Sequence, residues 1–133
     1  MATHLNGSGR PAVTQNVGRA ILREAESAKL ERAFEFFLRA FNFPPPVKQF
    51  QFHPNRAFRA DFAWPDINLL VEVEGGIWMR GGGAHSRPQG ILRDIEKSNE
   101  AVRLGWRQIR VTGEMLGQNK WPQLYDLLRG FFV

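Results

Sequence analysis

A chain of 133 residues is long enough for one domain and too short for two, and 43% hydrophobic with 23% charged residues is a composition that folds. Lys and Arg number 18 against 13 Asp and Glu, a net charge of +5 that favours an anionic partner, most simply nucleic acid. The absence of cysteine excludes disulfides, thiolate zinc sites and cysteine nucleophiles, and no apolar run suits a signal peptide or a membrane span, so a soluble cytoplasmic protein is expected.

Residues 1–16 are small and polar without periodicity and read as a flexible tail, leaving 17–133 as a single domain. From about Val17 to Phe41 the spacing is helical, with Leu30, Phe34, Phe37, Leu38 and Phe41 on one stripe. Pro44 to Pro46 end that helix. Three strand-like runs follow. Val47 to Phe52 alternates, with Lys48, Phe50 and Phe52 sharing a side. Phe58 to Trp64 and Leu69 to Glu74 also alternate, and Pro65 to Asn68 between them has hairpin chemistry. Gly75 to Gly83 is glycine-rich and ends regular structure. Helical spacing returns from Ile91 to Leu104, with Ile91, Ile95 and Val102 on its apolar side and Gly105 as C-cap. Arg107 to Thr112 reads as a strand, and Pro122 to Phe132 as a closing helix. The predicted order is αβββαβα, an α/β fold with a mixed sheet flanked by helices.

If the hairpin closes with Trp64 opposite Leu69, then Asp61 faces Glu72 and Arg59 faces Glu74. Ala60, Phe62, Trp64, Leu69, Val71 and Val73 form the apolar surface, while Arg59, Asp61, Glu72 and Glu74 share the other. Two like charges side by side on a sheet destabilise it, and a divalent cation removes the repulsion. Oxygen ligands suit Mg²⁺ or Mn²⁺ better than zinc. The competing reading is ordinary pairing: Asp61 with Arg59 or Arg56, and Glu74 with Arg59.

An acid in one strand followed by Glu-x-Glu in the next, Asp61-x10-Glu72-Val73-Glu74, within this element order resembles the PD-(D/E)XK nuclease superfamily. The strings from Phe58 to Pro65, Val71 to Gly76, Arg93 to Lys97 and Gly105 to Val111 resemble its small, often phage-borne members. The resemblance implies a restriction-endonuclease-like core over about Leu30 to Thr112 and metal-dependent hydrolysis of DNA phosphodiesters. It makes Asp61 and Glu72 metal ligands, with Glu74 a third ligand or proton acceptor standing where the superfamily usually has lysine. Lys97 is the candidate for a displaced lysine; a plain Asp94–Lys97 pair is the alternative. It also implies a glutamate on the first helix, Glu31 or else Glu35.

Candidate DNA contacts are Arg59, Trp78, Arg80, His85, Arg87 and Arg110, with Lys48, Arg56, Arg103 and Arg107 extending a basic track. The resemblance further implies Mg²⁺, replaceable by Mn²⁺, as cofactor, a nucleoid-associated role in recombination or repair, and a homodimer cutting branched DNA in the manner of a Holliday-junction resolvase. The alternatives are a nicking or mismatch-repair endonuclease and an inactive nuclease fold that only binds DNA.

Overall fold

The computed structural model describes residues 12–75 and 88–133, with side chains from 17 onward. Helix α1 (Ala12–Ala40) leads into strands β1 (Val47–Gln51), β2 (Arg59–Trp64) and β3 (Leu69–Glu74). Helix α2 (Pro88–Arg103), strand β4 (Arg107–Thr112) and helix α3 (Trp121–Arg129) follow, so the predicted order is the observed one. The four strands form one sheet in the order β1-β2-β3-β4; β3 and β4 are parallel and the other pairs antiparallel. Among the described residues no helix is long and apolar enough to cross a membrane.

The helix ends are set by local chemistry. α1 begins five residues before its predicted start at Val17, because apolar periodicity marks that start and residues 12–16 lack it. It ends before the prolines are reached. Asn42 adopts φ 59°, and Phe43 N–H donates to Leu38 O (2.9 Å) while Asn42 N–H donates to Arg39 O (3.2 Å), a Schellman closure. Gly105 (φ 90°) ends α2 in the same way, with Trp106 N–H on Ala101 O at 2.9 Å. The hairpin turn closes through Asn68 (φ 55°), whose N–H reaches Pro65 O, as its turn chemistry predicts.

Two apolar layers sandwich the sheet. On one side Phe34, Phe37 and Leu38 of α1 and Leu124 and Leu128 of α3 pack on Phe62, Trp64, Leu69 and Val71. Phe41, at the end of the predicted stripe, is partly exposed and packs edge-on against Trp121 and at a tilt against Tyr125. On the other side Phe52, Phe58, Ala60, Ala63, Leu70 and Ala101 form a smaller cluster. This corrects two expectations. Ala101 is the buried residue of α2, while Ile91, Ile95 and Val102 are exposed. Ala60 packs with Phe52 and Phe58, not with Phe62.

The misplaced alanine has a cause in the backbone. Pairs Lys48–Phe62 and Phe50–Ala60 flank a position where Gln49 and Asp61 make no pair, and Gln49 has φ 50°. The period-2 alternation breaks there in both strands. Lys48 therefore reaches α1, and Phe50 packs in the opposite layer against Trp106, although a regular strand would put both on one face.

Candidate metal and nucleic-acid site

The ladder between β2 and β3 follows the predicted register at Trp64–Leu69, Ala63–Leu70 and Phe62–Val71, then stops. The expected Asp61–Glu72 and Arg59–Glu74 pairs are not formed. Instead the Asp61 side chain enters the gap between the parting strands, and Val73 N–H donates to its Oδ2 at 2.8 Å. The carboxylate takes the place of a backbone acceptor, which fixes its direction and satisfies an N–H that the gap would otherwise orphan.

Glu72 lies beside Asp61 with its side chain 13% exposed. Burial, reinforced by the Asp61 charge, pushes its pKa up to about 7, against the opposing pull of Lys97. Glu72 Oε1 is fully enclosed without a hydrogen bond of good geometry; the Lys97 ammonium is its ion-pair partner. Lys97 thus points at the sheet acid, and the alternative of a simple Asp94–Lys97 pair gives way to Lys97–Glu72. Both α2 residues line one cleft of about 160 Å³ with Glu72, Glu74, Ser98 and Arg110. The spacing of three residues on one helix puts them there.

Glu31 and Glu35, one turn apart on α1, separate clearly. Glu35 is held by Lys48 (2.8 Å) and Arg39 (3.9 Å). Glu31 accepts from Gln49 Nε2 at 3.0 Å and from Ser27 Oγ at 3.3 Å. Its pKa is raised first by burial and next by the Asp61 charge, and the Gln49 that holds it stands at the register position opposite Asp61. Glu74 turns toward Arg110 (3.6 Å) rather than Arg59. Among the described residues no group of three acidic or histidine side chains is gathered closely enough to hold a metal, so Glu74 does not complete a set with Asp61 and Glu72 as expected.

The two-carboxylate arrangement still fits a hard cation. Mg²⁺ keeps several waters and is commonly held by one or two carboxylates plus substrate phosphates. Asp61 and Glu72 supply two such groups, and the enclosed Glu72 oxygen already attracts a cation, the Lys97 ammonium.

Of the predicted DNA contacts, Trp78, Arg80, His85 and Arg87 lie outside the described residues. Arg59 is exposed at the start of β2. Much of the expected basic track is engaged within the protein. Arg110 also donates to Ser98 (3.1 Å), Arg56 pairs with Glu96, Arg103 holds Glu100 at 2.8 Å, and Arg107 donates to Ile67 O at 2.7 Å.

One residue near this site escaped the sequence reading. His53, 6% exposed, accepts the N–H groups of Asn55 and Arg56 at Nδ1 (both 3.0 Å), so its proton sits on Nε2 and is donated to Glu100 Oε1 at 2.7 Å. It ties the β1–β2 connection to α2 one turn beyond Lys97. Glu100 is pulled down to about 2 by Arg103 and then by His53, so its contribution to stability is complete above the ordinary carboxylate range and is lost as pH falls toward 2. Replacing His53 with alanine orphans two backbone donors and is expected to lower stability by about 1–3 kcal/mol in denaturant unfolding. An unchanged midpoint would show that the imidazole carries no part of the α2 docking.

The comparisons with known proteins leave the activity open. No family model matches the chain, and no solved structure does. Two curated relatives from Mycobacterium tuberculosis, Uncharacterized protein Rv2248 of strain H37Rv and Uncharacterized protein MT2308 of strain CDC 1551, are each 33% identical over 84 residues. That stretch is 62% of this chain and 28% of each relative, so the chain matches under a third of their length.

Proposed function

We propose that this protein is a Mg²⁺-dependent endodeoxyribonuclease of the PD-(D/E)XK superfamily, with a restriction-endonuclease-like core and branched DNA as its substrate. The observation that carries the reading is the meeting of three side chains, Asp61, Glu72 and Lys97, where β2 and β3 part. Structural ion pairs also perturb acids. Here, however, one acid sits in a broken ladder, and the other is buried with an enclosed oxygen and lines an open cleft together with Lys97, as a site under functional constraint would.

Asp61 and Glu72 would hold the cation, which when bound lowers the pKa of a coordinated water and offsets charge on the leaving oxygen. The residues do the rest. Val73 N–H holds Asp61 in place, so that carboxylate needs little reordering. Lys97, with its side chain 23% exposed, is on the cleft wall and can turn from Glu72 to a phosphoryl oxygen, offsetting charge there. Glu74, beside Arg110 on the same cleft, accepts a proton from water or orients it. A homodimer would supply the two sites that symmetric cutting of a junction requires.

The test is cleavage of labelled four-way junction, duplex and single strand in Mg²⁺ or Mn²⁺. Metal-dependent cutting of the junction, abolished by EDTA, is expected. Lys97→Ala is expected to slow it about 10²–10³-fold while DNA binding persists. Full activity in Lys97→Ala would remove the lysine from the account. Salt-sensitive DNA binding with no cutting in any metal would leave the alternative of an inactive DNA-binding module.

A further inference from the structure

Three described residues other than glycine have positive φ: Asn42, Gln49 and Asn68. The two asparagines close a helix and a turn, and asparagine tolerates that conformation. Gln49 does neither. It sits inside β1 opposite Asp61, where a side chain with a Cβ strains the backbone and the ladder to β2 is interrupted. Consecutive strand residues point to opposite faces. Here Lys48 and Gln49 both reach α1, binding Glu35 (2.8 Å) and Glu31 (3.0 Å) one helical turn apart. The left-handed residue makes that double reach possible. Its hydrogen bond to Glu31 is exposed and contributes little to holding the fold, so stability does not repay the strain.

We infer that Gln49 is a positioning residue for the site: its left-handed backbone breaks the β1–β2 ladder beside Asp61, and its amide holds Glu31 toward that acid. The inference rests on the nuclease reading above and extends it to the acid on α1. Ser27 restrains the other Glu31 oxygen, so Glu31 is clamped from its own helix and from the sheet. Supporting groups of this kind, which orient a carboxylate without touching substrate, commonly change metal affinity or activity 10–100-fold when removed.

Gln49→Gly separates the two contributions, since glycine accepts the backbone angle and deletes only the amide. The experiment measures Mn²⁺ affinity by titration of the DNA-free protein, the Mg²⁺ dependence of junction cleavage, and DNA affinity. Gln49→Gly is expected to fold with an unchanged or higher melting temperature and to bind DNA as before. It is expected to weaken Mn²⁺ binding about 10-fold and to raise the Mg²⁺ needed for half-maximal cleavage similarly. In a Glu31→Ala background the same substitution is expected to add nothing, because its effect passes through Glu31. An active protein whose Gln49→Gly form is indistinguishable in metal dependence, or whose loss is equal with and without Glu31, overturns this inference alone. A wild-type protein that neither binds Mn²⁺ nor cuts overturns the nuclease reading and this inference with it.

Discussion

Glu72→Gln is expected to make the metal-free protein more stable above pH 7. A carboxyl whose pKa is raised from 4.5 to about 7 on folding favours the folded state fully below 4.5, and that advantage is lost as pH rises through 7. Above 7 the folded protein carries an ionised, buried acid beside Asp61, and only Lys97 offsets it. The shift corresponds to about 3 kcal/mol as an upper bound, and glutamine leaves Lys97 without its counter-charge, so a gain of about 1–3 kcal/mol at pH 8 is expected. At pH 4 the two forms are expected to converge. Thermal unfolding in EDTA across pH 4–9 measures this directly. Equal stability at every pH would mean that Glu72 is an ordinary solvated acid. On the proposed nuclease reading, the same substitution is expected to abolish junction cleavage, because it removes one of the two carboxylates that would hold the cation.

Asp61→Asn is expected to leave the fold intact and to slow cleavage about 10²–10³-fold. The asparagine side-chain oxygen can still accept the Val73 N–H, so the parted strands keep their bridge while the negative charge is gone. Asp61→Ala removes the bridge as well, leaving the Val73 N–H unpaired at a cost of about 1–3 kcal/mol in unfolding. The contrast between the two variants separates a charge that works on substrate from an acceptor that holds a strand. If Asp61→Asn cleaves like the wild type, Asp61 serves only the backbone.

Much of the fold was legible because its signals are local. Alternation from Phe58 to Trp64 and Leu69 to Glu74, with Pro65 to Asn68 between them, set the turn register correctly through Phe62–Val71. Gly105 marked the end of α2. Beyond Phe62 the extrapolation failed, because period 2 assumes an unbroken ladder and Gln49 and Asp61 break it. Nothing about a glutamine announces a positive φ. The α2 stripe misled for another reason: its helical periodicity is present, yet the helix buries Ala101 in the layer against the sheet, leaving Ile91 and Ile95 exposed. His53 carried no spacing signal, since its partners are two backbone N–H groups and an acid 47 positions away. Lys97 could be placed on the Asp94 face of α2, whereas its partner in the sheet needed the parallel crossover.

In the proposed site Asp61 and Glu72 share one hard cation. Titrating Mn²⁺ into the DNA-free protein, with the free-ion signal followed by electron paramagnetic resonance, addresses it without reference to catalysis. Saturable binding to the wild type, weakened at least about 10-fold in both Asp61→Asn and Glu72→Gln, is expected. Binding that is equally tight in the wild type and in both variants would place the cation elsewhere and contradict the shared site.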